Sequence, residues 1–149
     1  MPVIVDDHLL SALLTDRGVL PPTLRAKRRR REVFTTGHWY YRLCRATRSR
    51  RVTGALSGPL ADLPEPELRE AVAAIVRLPD EIGLLSLRDL SPIMADLSER
   101  HRLNVLALEA LAAALHLDAD VHVSAVDAGP QLRMALEREG RRMTEWRLP

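Results

Sequence analysis

At 149 residues with 46% hydrophobic content, the chain can build one packed domain that needs no disulfide or metal to hold it together. Its single cysteine, Cys44, cannot pair within the chain, no apolar run approaches the ~20 residues of a membrane helix, and the start at Met1-Pro2-Val3 lacks a basic signal region, so a reducing, cytoplasmic setting without a membrane is expected. The net charge of +2 hides an asymmetry: residues 23–51 hold 11 of the 22 Lys and Arg but only 1 of the 20 Asp and Glu, Glu32, for a local charge of +10 against −8 elsewhere.

Val3-Ile4-Val5 reads as a buried strand closed by Asp6. Asp7 is placed to cap a helix over His8–Leu14. Residues 24–31 form a basic run without an apolar stripe, and Val33-Phe34 a brief strand. Thr35 or Thr36 can cap a helix over Gly37–Thr47 that packs through Trp39, Tyr40, Leu43 and Cys44. Residues 48–66, with their glycines and prolines, read as a long loop. A helix is expected over Glu67–Leu78, ended by Pro79, then a buried strand over Ile82–Leu87. Asp89 or Ser91 starts a helix to Arg100. Asn104–Leu117, rich in Ala and Leu, is the clearest helix. Val121, Val123 and Ala125 alternate as a strand, Pro130 opens a helix to Glu139 that Gly140 ends, and Arg141–Trp146 is a last strand. Strands alternating with helices predict an α/β fold: a single domain over 1–149 in which a mostly parallel sheet lies between two helical layers, a three-layer α/β/α sandwich.

In such sheets, sites form at the carboxyl ends of strands. Asp6 and Asp127 stand there, and Glu109 lies on the Ala/Leu helix before the later strand. A carboxylate in so apolar a helix needs a partner or a metal. Each acid also has a plainer reading. Asp6 can cap the first helix with Asp7, Asp127 can cap the helix at Pro130, and Glu109 can be a surface or partly buried acid. The histidines show no metal-binding spacing such as HExxH, and no glycine pattern for cradling nucleotides appears.

An apolar strand ending in Asp6 and followed by a Leu-rich helix resembles the start of PIN domains, which are Mg²⁺-dependent nucleases. The segment Val33–Leu43 resembles their second motif, where an aromatic residue precedes an acid by three positions. Leu103–Ala114, the short strand and Asp127 resemble the last two acidic motifs, and the bacterial toxins of toxin–antitoxin operons are similar in size. The resemblance implies Mg²⁺ or Mn²⁺ held by Asp6 and Asp127, and catalysis by Asp6, Glu109 and Asp127. It departs at two positions. Arg42 stands three residues after Trp39, where the family places a glutamate. The expected third aspartate falls near the apolar Val105–Ala107, one turn before Glu109. An Arg42 guanidinium can occupy the metal's place and pair with Asp6 or Asp127.

The basic segment supplies Arg25, Lys27, Arg28, Arg29, Arg30, Arg31, Arg42 and Arg45 for phosphate contacts, with Trp39 nearby for base stacking. An acidic partner protein, such as an antitoxin, fits the same charge, and a solvated face with core aromatics is the plainer reading. Three functions are therefore open. The first is a PIN-like domain with a degenerate metal site that binds RNA or a protein without efficient cleavage. The second is an active Mg²⁺-dependent endoribonuclease toxin. The third is a homodimeric interaction module whose seam lies on the helices at 89–100 and 104–117.

Overall fold

The computed structural model describes residues 1–15, 20–48 and 63–148. Five strands of three to five residues form: β1 (Val3–Val5), β2 (Val33–Thr35), β3 (Ile82–Leu84), β4 (Asp120–Ser124) and β5 (Met143–Trp146). Seven helices are seen among the described residues: α1 (Asp7–Thr15), α2 (Pro22–Arg29), α3 (Gly37–Arg48), α4 (Glu65–Val76), α5 (Leu87–Ser98), α6 (Val105–Leu117) and α7 (Pro130–Arg138). The strands pair in the order β3-β2-β1-β4-β5, every pair parallel. Among the described residues, no helix is long and apolar enough to cross a membrane.

The period of two along a strand assigns side chains to faces. Val3 and Val5 point into a core shared with Leu9, Leu10, Leu13, Leu24, Leu43 and Ile75, under α1–α4. Ile4 points the other way, with Val121 and Val123, into a core closed by Leu90, Leu97, Leu111 and Leu136 of α5–α7. The expected three-layer α/β/α architecture follows, with the sheet wholly parallel. Burial of both faces explains why the central strand β1 reads as a continuous apolar run, while β4 alternates along its length. Ala110 and Ala112–Ala114 of α6 are fully buried within the chain itself.

Several boundaries differ from the sequence expectation. Residues 24–31 are largely helical: Pro22 fits the first turn, and Leu24 alone anchors α2 in the core. Helix α4 begins at Glu65 because Pro66 falls in the first turn, where no amide bond is lost. Arg48 closes α3, so both ends of the expected loop are helical, and its stretch 49–62 lies outside the described residues. Strand β3 stops at Leu84 because Ser86 caps α5, its hydroxyl accepting from the Arg88 amide at 3.1 Å. Pro92 consequently sits inside α5.

Helices α2, α6 and α7 share one ending. The amide of Glu32 donates to Lys27 O and that of Arg31 to Arg28 O. Ala119 and Asp118 donate in the same pattern to Ala114 and Leu115, as Arg141 and Gly140 do to Leu136 and Glu137. This double closure requires a left-handed residue, usually glycine. Only α7 has one, Gly140 at φ 74°; α2 uses Arg31 at φ 59° and α6 uses Asp118 at φ 53°. A side chain in that region costs roughly 1–2 kcal/mol, and glycine gives part of this back as unfolded-state entropy. Arg31→Gly should therefore stabilise the fold by about 0.5–1 kcal/mol, and Gly140→Ala should destabilise it by about 1 kcal/mol. Urea midpoints at unchanged slope check both.

Candidate functional site

Strand order reverses between β1 and β4, and the crevice at the carboxyl ends of those strands is where open parallel sheets bind ligands. Asp6 leaves β1 here. Its Oδ1 accepts from the Leu9 amide at 2.9 Å, so Asp6 caps α1. Its Oδ2 accepts from the amide and the hydroxyl of Ser124, both at 2.8 Å. One fully buried carboxylate thus fastens the first turn of α1 to the end of β4.

Asp7 is then the first residue of α1 rather than its cap, and its side chain is fully buried at the crevice. Its Oδ1 accepts from the His8 amide and faces His8 Nδ1, each at 3.0 Å. Its Oδ2 lies 3.0 Å from Arg42 Nε. Asp127 completes the group, with Oδ1 accepting from Arg42 Nη1 at 3.3 Å and Oδ2 lying 3.4 Å from His8 Nδ1. Two cations, Arg42 and His8, therefore bridge the same two carboxylates. Arg42 meets Asp127 as the sequence suggested, but its second partner is Asp7, because Asp6 is held by Leu9 and Ser124. Asp127 is not a helix cap: α7 starts at Pro130 with Gly129 at its N-cap position and no side-chain hydrogen bond there.

Burial dominates the electrostatics. It pushes Asp6 up to about 7, although the Leu9 and Ser124 hydrogen bonds pull the other way and the Asp127 charge adds to the rise. Burial also raises Asp7, against the pull of His8 and Arg42. For Asp127, burial is outweighed by hydrogen bonds from its neighbours and by the charges of Arg42 and His8, and its carboxyl is held well below the usual range. Burial alone would lower His8, but hydrogen bonds to Asp127 and Asp7 and the charges of Asp7 and Asp6 push it up to about 9. At neutral pH the group is thus an ion cluster containing an imidazolium.

Ligand atoms of Asp6, Asp7, His8 and Asp127 lie within 4.8 Å of one another, a spacing that can hold a metal ion. The charges already in place do not suit a divalent cation. Asp6 has three of its roughly four acceptor positions filled. A protonated His8 has no lone pair to offer, and Arg42 stands between two of the carboxylates. A metal at these residues competes with Arg42 for Asp7 and Asp127 and releases the proton of His8 on binding.

Glu109 is not part of this cluster. It is fully buried on α6, where Oε1 accepts from the Gly37 amide at 2.9 Å and Oε2 from the His38 amide at 3.2 Å, with His38 Nδ1 against Oε2. Its carboxylate caps α3 from another helix, so the buried acid's partner is a helix N-terminus. Thr36 supplies the local part of that cap, its hydroxyl accepting from the Trp39 amide at 3.3 Å. Trp39 is 1% exposed and belongs to the core, so its ring offers no face for stacking. It borders a cleft of about 440 Å³ beside Asp127, with Arg102, Asn104 and Gln131 among its walls.

The basic residues divide. Arg42 and Arg45 lie on α3, which leaves the carboxyl end of β2. Arg25, Lys27, Arg28 and Arg29 lie on α2, with Arg30 and Arg31 just after it, at the amino end of the same strand. The one segment therefore serves two opposite edges of the sheet. Sequence reasoning missed Asp7, His8 and Ser124 as cluster members. The visible signal was the run Asp6-Asp7-His8 directly after a buried strand. No protein-family model matches the chain, and no curated protein matches it.

Two outcomes follow. Glu109→Ala should destabilise the fold by about 2–3 kcal/mol, since it leaves two amides of α3 unpaired in the interior, while Glu109→Gln, which keeps an acceptor, should cost about half as much; denaturant titration distinguishes them. His8 has its pKa raised from 6.5 to about 9, so its contribution is complete below 6.5 and is lost as pH rises through about 9. Across that window wild type should lose more stability than His8→Gln, read as the shift in urea midpoint.

Proposed function

We propose that the chain is a PIN-like domain whose acidic site is neutralised from within, and that it binds RNA without efficient cleavage. The observation that carries the reading is the Arg42 guanidinium bridging Asp7 and Asp127 at the β1/β4 crevice. The acid after β1, the acid beyond β4 and the intervening helix α3 occur in the order of the family's motifs, with Arg42 where a metal-binding glutamate belongs.

Mg²⁺ or Mn²⁺ at a complete site would activate water and stabilise the leaving oxygen of a phosphodiester. In this chain, Arg42 and His8 already hold the carboxylates that such an ion would need. A cation ~4 Å from a second cation is disfavoured by up to about 4 kcal/mol per unit charge at an effective dielectric of 20. The neutralised cluster can still order the crevice and align α1 with β4.

Competition between two cations for one set of acids makes the reading testable. Wild type should show no Mg²⁺- or Mn²⁺-dependent cleavage of single-stranded RNA above the metal-only background. Arg42→Glu should bind Mn²⁺ at least about tenfold more tightly than wild type, by calorimetry or by loss of the free Mn²⁺ resonance signal. Robust turnover by wild type, abolished in Asp127→Ala, would instead support the metal-dependent endoribonuclease.

A further inference from the structure

We infer that the amino edge of the sheet carries a phosphodiester-binding site, built from residues 27–31 and separate from the acidic cluster. The inference rests on the reading of the domain as an RNA binder and says where on the fold the RNA lies.

All five strands run the same way, so the residues that precede them share one edge. Direct contacts tie this edge together. The Val3 amide donates to Glu32 O at 2.9 Å, Lys27 Nζ donates to Met1 O at 2.7 Å, and Arg28 Nη2 meets Glu81 Oε1 at 3.0 Å just before β3. Asp6 and Asp127 lie beyond the far ends of β1 and β4. The three residues of β1 span roughly 10 Å, which already exceeds the screening length of about 8 Å at physiological salt. At physiological salt the two edges are therefore largely screened from each other, and Arg42 belongs to the other one.

The cations of the amino edge are not equivalent. Arg28 is pinned, its Nη1 donating to Leu13 O at 2.7 Å and its Nε to Glu81 at 3.2 Å. It forms a wall of a cleft of about 470 Å³, together with Leu13, Leu20, Arg25, Arg29, Arg31 and Glu81. Arg29, Arg30 and Arg31 are exposed, and no hydrogen bond or ion pair engages their side chains among the described residues. Arg30 and Arg31 act on Glu32 and Glu81 only through space.

Geometry favours an extended ligand over a compact one. Arg29 and Arg31 line the cleft and Arg30 does not, because the chain leaves helical geometry at Arg30 and turns through left-handed Arg31, so the three cations do not all face one small anion. They can contact successive phosphates of a strand. Among the described residues the cleft offers two leucines to an apolar anchor, which is little for a peptide read through side-chain pockets, whereas phosphate contacts work through charge alone. Arg31 adds an independent point: a cation occupies a left-handed position where glycine is favoured.

The test is fluorescence anisotropy of a labelled single-stranded RNA of about 20 nucleotides, titrated between about 50 and 200 mM KCl. Arg29→Ala/Arg30→Ala/Arg31→Ala should weaken binding at least about tenfold and flatten the salt slope by about 2, near 0.7 per lost phosphate contact. The same three positions changed to lysine should keep the slope, and Arg88→Gln, an exposed arginine at the start of α5 beyond the carboxyl end of β3, should bind like wild type. Undiminished binding by the triple alanine variant, or an equal loss in Arg88→Gln, overturns the location. Poly-glutamate bound more tightly than RNA overturns RNA as the occupant. No RNA binding by wild type overturns both this site and the binding reading. Metal-dependent cleavage by wild type overturns the non-cleaving reading alone, since the anisotropy comparison still locates the RNA.

Discussion

Three carboxylates converge where β1 and β4 diverge, and buried acids of this kind must be hydrogen-bonded, paired or protonated. The chain uses different solutions for different acids. Asp6 takes three hydrogen bonds from Leu9 and Ser124. Asp7 and Asp127 share the charges of Arg42 and His8. The placement of α1, α3 and the loop after β4 follows from this division, because each contributes a member that would be strained or uncompensated without the others.

Glu109 solves the same problem in another way. A carboxylate carried by α6 sits under the first turn of α3, where the Gly37 and His38 amides point at it. A Cβ on Gly37 would stand 3.3 Å from Glu109 Oε1, tight enough that the carboxylate would have to shift by a few tenths of an ångström. Helix α3 is thus anchored at its start by α6 and one turn later by Arg42 in the crevice. Both anchors are polar and cross from one helical layer or edge to another, and they orient the helix in a way that apolar packing of Leu43 alone would not.

Most of the architecture was legible because burial on both faces leaves short apolar runs separated by helical spacing. Gly140 marked a helix end by its own chemistry and was readable, whereas Asn104, read as the first helical residue, proves to be the cap of α6. Helix α2 was not, since its single core residue, Leu24, makes no periodic stripe and the helix is held by its proline start and its closing turn. Within the site, Asp6 and Asp127 stood out by position at strand ends, and Arg42 by its distance from Trp39. Asp7 and His8 carried a local signal in the run after β1, but Ser124 did not: its role arises from a contact 118 positions away, which no local pattern encodes. Trp39 illustrates the converse, an aromatic beside arginines whose ring is turned wholly inward.

The clasp between Asp6 and Ser124 also orders events in time. Strand β1 lies at the centre of the sheet, yet one of its two neighbours, β4, begins only at Asp120. During synthesis the first helices can collapse onto one face of β1 while its other edge still has no partner. Contacts so distant in sequence close late and slow folding. Until Ser124 has emerged, Asp6 can bind only the Leu9 amide through Oδ1, and its Oδ2 stays hydrated beside the unpaired edge of β1.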